Sequence, residues 1–179
     1  MSKYRAEDLI FIDEFGFNLG MARTHARAPE GIRAYGSIPF NPGKNITLTM
    51  GLSLDGVMAP MAVPGSTDGH YFLSYIKQVV VPVLQPGKVV LFDNLAAHKV
   101  GGVREAIEAT GARLLLLPPY SPDLSPVDNC GSKVKGAVRG DAPRTVRAVY
   151  EAMGQAIGQV TTSDARGWFA HSGYRLSPS

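Results

Sequence analysis

The chain has 179 residues, 45% of them hydrophobic and 18% charged, with 18 Lys and Arg against 15 Asp and Glu. This length suits one domain able to bury a sizeable core, and the composition excludes a disordered chain. The single cysteine, Cys130, excludes an internal disulfide framework and a cysteine-built zinc cluster.

No apolar run reaches the roughly 18 residues of a membrane span. The opening MSKYRAEDLIF carries acids ahead of its short apolar run, unlike a signal peptide. A soluble, cytoplasmic protein is expected. The net charge of +3 decides little, but its distribution is uneven. Arg23, Arg27, Arg33 and Lys44 fall between Asn18 and Asn45 against one acid, Glu30. Lys133, Lys135, Arg139, Arg144 and Arg147 follow later against Asp141 alone. Such stretches suit a polyanion, because neutralising phosphates releases condensed counterions. The plainer reading of each is an ordinary solvated face.

In chain order, DLIFID (8–13) reads as a buried strand ending in acids. MARTHARAPEG and the residues around IRAYG read as a second strand or hairpin with polar edges. NITLTMGLSLDGVMAPMAV holds two β-rich runs around Asp55-Gly56, a strong hairpin signal. Asp68 can cap a helix whose apolar residues Phe72, Ile76, Val79 and Val83 recur at helical spacing, with Pro82 kinking or ending it. KVVLFDN (88–94) is a short apolar strand. A helix follows, with Val103, Ala106 and Ile107 on one face and Gly111 at its C-terminal turn. ARLLLLP (112–118) is another buried strand. Ser125 and Pro126 then open a helix as N-cap and first residue, and Val146, Val149, Met153 and Ile157 mark a last one. The order predicts an α/β fold, a mixed sheet flanked by helices with its later strands parallel.

The acids stand out against this plan. Asp13 and Glu14 end the first strand, Asp93 ends a later one, and Asp128 opens a helix just after the next. Functional groups of open α/β sheets collect outside the carboxyl ends of strands, so these acids can meet. Converging carboxylates repel unless a cation neutralises them, and hard oxygen donors select Mg²⁺ or Mn²⁺ over zinc. Two such ions, about 3.5–4 Å apart, can serve phosphodiester displacement. Taken singly, Asp13 and Asp93 read as turn formers, Asp128 as a helix cap in a near capping box, and His98 as a structural histidine.

FIDEFGFNLG, LFDNLAAHK and LPPYSPDLSPVDN, in that order, resemble the three signature motifs of the mariner-type DDE/D transposases, and most closely their bacterial insertion-sequence branch. The 34 residues between Asp93 and Asp128 match the interval of that branch, and GLSLDG and DARGWFAHSGY also look familial. The resemblance implies an RNase H-like catalytic domain spanning 1–179, which cuts transposon ends and joins them to target DNA with two Mg²⁺ ions, Mn²⁺ substituting. By motif, Asp13, Asp93 and Asp128 are the catalytic and metal-binding acids, and Glu14, Asn94 and His98 their supports. Arg23, Arg27, Arg33, Lys44, Lys133, Lys135 and Arg139 are candidates for binding double-stranded DNA. A homodimer and a nucleoid-associated location also follow from the resemblance.

The sequence departs from the pattern in two places. Ser-Pro-Val-Asp stands where the bacterial branch has Asn-Pro-Ile-Glu, and Gly131 stands where a tryptophan is expected. Gly131 suggests lost packing and a decayed copy that merely binds DNA. The chain also begins almost at the first catalytic strand, so an upstream helix-turn-helix half is expected as a partner. Another RNase H-like nuclease, acting on RNA–DNA hybrids or junctions, is the rival enzyme reading.

Overall fold

The computed structural model describes residues 4–94, 96–119 and 121–176. Five strands form one mixed sheet: β1 (Leu9–Phe17), β2 (Ile46–Ser53), β3 (Gly56–Pro64), β4 (Val89–Phe92) and β5 (Arg113–Leu116), in the order β3-β2-β1-β4-β5. β1 pairs antiparallel with β2 and parallel with β4, and β4 pairs parallel with β5. The Asp55-Gly56 turn joins β2 to β3 as predicted, with Gly56 at a φ of 120° that side chains rarely adopt.

Strand alternation sends successive side chains of β1 to opposite faces. Leu9, Phe11, Phe15 and Phe17 enter one core, beneath α3 (Pro126–Asp141), α4 (Val146–Gly158) and α5 (Thr162–His171). Ile10 and Ile12 enter the other, beneath α1 (Gly69–Tyr75) and α2 (Val103–Glu108). The arrangement is the RNase H-like mixed sheet expected above.

Three local readings change. The segment 18–45 holds no strand among its described residues: β1 pairs directly with β2, and the chain between them forms no ladder. Its ends are tied instead. Leu19 N–H donates to Pro42 O at 3.0 Å, and the Arg144 guanidinium donates to the carbonyls of Leu19, Met21 and Ser37. The helix begun at Asp68 is short: the cap forms, with Tyr71 N–H donating to Asp68 Oδ1 at 2.8 Å, but a π turn (Ile76–Val80) and a 3₁₀ turn (Val81–Val83) follow. Pro82 has no N–H to continue an α ladder, and Val83 is left exposed. Finally, Val146–Gly158 is not the last helix. Thr161 and Asp164 form a capping box that starts α5.

Gly131 has a clear packing reason. A β-carbon there would collide with the ring of Phe15, which is 6% exposed and fills the space beside α3. An aromatic ring therefore occupies this part of the core, delivered from β1 rather than from the helix. Gly131 is no sign of a damaged fold. Gly131→Ala should destabilise the protein by about 1–3 kcal/mol through overpacking, despite alanine's better helix propensity. Chemical denaturation measures this, and combining it with Phe15→Leu should recover part of the loss.

Candidate active site

The parallel pairing of β1 and β4 runs Leu9 with Val89, Ile10 with Val90 and Phe11 with Leu91. Two residues further along each chain stand Asp13, on the face that α3 covers, and Asp93, just past the end of β4; both line one cleft. Leu117 N–H donates to Phe92 O at 2.9 Å, which holds the next strand's exit against β4. The proline-rich turn then carries the chain to Ser125, the N-cap of α3, and Asp128 occupies the third helical position. Ser125 makes no side-chain cap, so the expected capping box does not form; Asp128 N–H instead reaches Ser125 O at 3.1 Å.

Asp13, Asp93, Asn94, Ser125 and Asp128 line one open cleft of about 390 Å³, walled by Pro118, Pro119 and Pro122. Asp128 faces Asp13 closely enough to disfavour a negative charge on it. Burial pushes the Asp13 pKa up to about 7, and the charges of Asp128 and Asp93 add to this, against the Glu14 N–H that donates to Asp13 Oδ1 at 2.8 Å. Among the described residues no three side chains close into a ready-made metal cage. The donors are nonetheless hard oxygens whose mutual repulsion a divalent cation would relieve in place of the proton.

Asp93 leans toward a second layer. Its Oδ1 lies 2.5 Å from His98 Nδ1, and His98 Nε2 lies 3.5 Å from Glu14 Oε2. Neither ring nitrogen makes an aligned hydrogen bond, so these are charge contacts. The His98 side chain is 1% exposed, its ring 4.2 Å from that of Phe72 and edge-on to Phe92 at 5.3 Å. Burial opposes charge on the ring, but Glu14 and Asp93 outweigh it and raise the pKa. Thr67 Oγ1 donates to Glu14 Oε1 at 2.6 Å. Burial works against the Glu14 charge too, yet His98, Thr67 and Thr49 hold its pKa below the ordinary value.

Adjacent on β1, Asp13 and Glu14 thus serve opposite faces. The first joins Asp128; the second reaches Asp93 through His98. Thr67 carries no local sequence signal for this part, because its partner is 53 residues away.

The basic candidates separate. Lys133 Nζ pairs with Asp164 Oδ2 at 2.6 Å and donates to Gln159 O, facing α5 rather than the cleft; Lys133 and Thr161 lower the Asp164 pKa to about 2. Lys135 lines a second cavity that shares Asp13 and Asp128 with the first. Arg23, Arg27, Arg33 and Lys44 lie exposed on the 18–45 segment, and Arg139 is half-buried on α3.

The sequence profile of the family described as DDE superfamily endonuclease matches residues 8–149. The chain belongs to this family. Among solved structures, a pre-cleavage Mos1 transpososome superposes with a TM-score of 0.74 at 18% identity, over 97% of this chain and 55% of that one. The mariner Mos1 paired end complex with Mg gives 0.73 at 15%, over 99% and 58%. The catalytic domain of Mos1 mariner transposase gives 0.66 at 17%, over 97% and 81%. This DDE-family chain spans about half the length of the chains in the two complexes. A search of curated protein sequences finds no match.

A buried carboxyl with a raised pKa costs stability once ionised. The folded protein holds the Asp13 proton between the ordinary value of 3.8 and about 7, while the unfolded chain has released it. This contribution is therefore fully present below pH 3.8 and is lost as pH rises toward 7. Asp13→Asn should accordingly raise the melting temperature at pH 8 in EDTA, with the advantage disappearing near pH 4. Thermal unfolding of both proteins across this range checks it.

Proposed function

We propose that the chain is the catalytic domain of a mariner-type DDE/D transposase, hydrolysing phosphodiester bonds at transposon ends and transferring the ends to target DNA. The observation that carries this is that Asp13, Asp93 and Asp128 line one cleft open to solvent, within a family of endonucleases. Asp13, Asp93 and Asp128 would hold Mg²⁺ or Mn²⁺, as a pair of ions. Bound there, the metal supplies charge neutralisation for the attacking and leaving oxygens.

The chain's own groups do the rest. Asp13, whose pKa burial raises, gives up its proton when a cation is held beside it. His98, wedged against Phe72 and Phe92 and backed by Glu14, keeps the Asp93 carboxylate from swinging toward solvent. Asn94 lies beside it on the cleft wall. The uncommitted arginines and lysines take the phosphates of double-stranded DNA.

Residues 1–179 act as one catalytic unit in this reading. An upstream helix-turn-helix half that recognises a particular transposon end, and a second copy of the chain, are the further partners in this reading. In this reading the protein works on DNA at the bacterial nucleoid, in the cytoplasm. Among the described residues no helix is long and apolar enough to cross a membrane.

Asp13→Asn and Asp93→Asn should each abolish Mg²⁺-dependent plasmid nicking while leaving DNA retention in gel shifts intact. Undiminished nicking by either would overturn the assignment. Asp128→Glu should keep or raise activity, since the longer acid is the bacterial branch's usual choice. Glu14→Gln should slow nicking and raise the Mn²⁺ concentration needed for half-saturation, the latter read by Mn²⁺ electron paramagnetic resonance without turnover.

A further inference from the structure

β4 covers one edge of β5, and no strand among the described residues covers the other. Arg113 N–H donates to Lys88 O and Leu117 N–H to Phe92 O, both at 2.9 Å, so the odd-numbered residues of this strand bond inward. In a parallel strand the N–H and C=O of one residue point the same way, and direction alternates along the chain. The backbone groups of Leu114 and Leu116 therefore point outward. Leu114 C=O accepts from Arg104 Nη1 at 3.2 Å. Among the described residues nothing bonds Leu114 N–H or either backbone group of Leu116. A short strand flanked by cations is also how proteins blunt an edge against stray pairing, and the edge alone says no more than that.

The space on either side of it says more. On the face of the α3 core lies a cavity of about 290 Å³, lined by Leu115, Leu116 and Tyr174 among other apolar and phenolic side chains. On the opposite face a smaller cavity of about 130 Å³ lies between Leu114, Leu116 and Val103, with Lys99 and Arg104 at its margin. Leu116 borders both, so the two cavities flank one edge. An edge blunted only to stay unpaired needs no pocket on each side. An added strand sends successive side chains to opposite faces, so two neighbouring residues of it would fill both cavities.

We propose that β5 is a docking edge for an extended, acidic and apolar segment of a partner protein, which lengthens the sheet by one strand. Its backbone meets Leu114 and Leu116. One bulky apolar side chain enters the larger cavity, and a smaller one next to it in sequence enters the other. The surrounding charge selects the acids. Lys99 and Arg113 are exposed, and among the described residues no carboxylate pairs with either. A second copy of β5 would crowd these cations from both chains along one short edge, which disfavours it. DNA would meet the cations but leave both apolar cavities empty. Leu117 and Pro118 line the larger cavity and the catalytic cleft alike, so the partner stands directly behind the cleft wall without entering it. The docking edge does not depend on what chemistry the cleft performs.

The probe is a fluorescein-labelled peptide, Glu-Asp-Phe-Val-Phe-Val-Asp-Glu, titrated into the full chain and read by anisotropy and by amide exchange in NMR. It should bind saturably. The Leu114 and Leu116 amides should become protected, while those of Arg113, Leu115 and Leu117, already bonded to β4, change little. N-methylation of one alternating set of peptide amides should abolish binding and of the other set spare it, because only one set faces β5. Lys99→Glu combined with Arg113→Glu should weaken binding about five-fold or more, without loss of the fold, since both side chains are exposed. A peptide with Lys in place of its acids should then prefer the doubly substituted protein. No saturation by about 1 mM peptide, or equal loss from either methylated set, overturns the proposal. Protection of Leu114 and Leu116 on raising the protein concentration alone assigns the edge to a second copy. Protection by a duplex of arbitrary sequence, with none by the peptide, assigns it to DNA; either result refutes a peptide partner.

Discussion

The parallel pairing of β1 with β4 governs the rest of the structure. Its register places two acids from distant parts of the chain level with each other, and alternation along β1 decides which neighbour each acid meets. A slip of one residue would turn Asp13 toward α1 and Glu14 toward α3, exchanging a cleft acid for a backing one. The antiparallel hairpin of β2 and β3 covers the other edge of β1, so the central strand has no freedom to slide. The strand edges, the two cores and the cleft are consequences of one register.

Against that frame, the acids are a burden on the apo protein. Asp128 and Asp93 disfavour the charge that Asp13 would carry, and the protein tolerates this because both cores are well filled. The same repulsion makes the cleft receptive to a cation, and it lies at the surface end of the sheet where solvent and a large substrate can enter. The second layer works in the opposite sense. His98 between Asp93 and Glu14 is an alternating row of charge, so it binds its members together rather than forcing them apart. One acid pair is poised and the other is braced.

Much of this was legible in the sequence. The strands β1, β4 and β5, the hairpin turn and the start of α3 all carried local signals: apolar runs, Asp-Gly, and Ser-Pro. Motif spacing pointed to the three acids. Three things were not legible, for physical reasons. The 18–45 segment reads as a strand or hairpin, but whether it pairs depends on partners distant in sequence, which only the assembled sheet reveals. Thr67 and Glu14 are partners across half the sheet, so neither announces the other. Lys133 and Lys135 look equivalent in a basic run, yet a helix turns them to opposite sides, one to Asp164 and one to the cleft.

The Phe15–Gly131 contact changes how a motif ought to be compared between relatives. Ring volume at that point of the core is shared between a strand and a helix, so either partner can supply it. Grafting a tryptophan onto α3 to restore the familiar pattern would put two aromatics where one fits. The two positions form a single packing unit, so a chimaera that takes α3 from a relative must take the matching β1 residue with it.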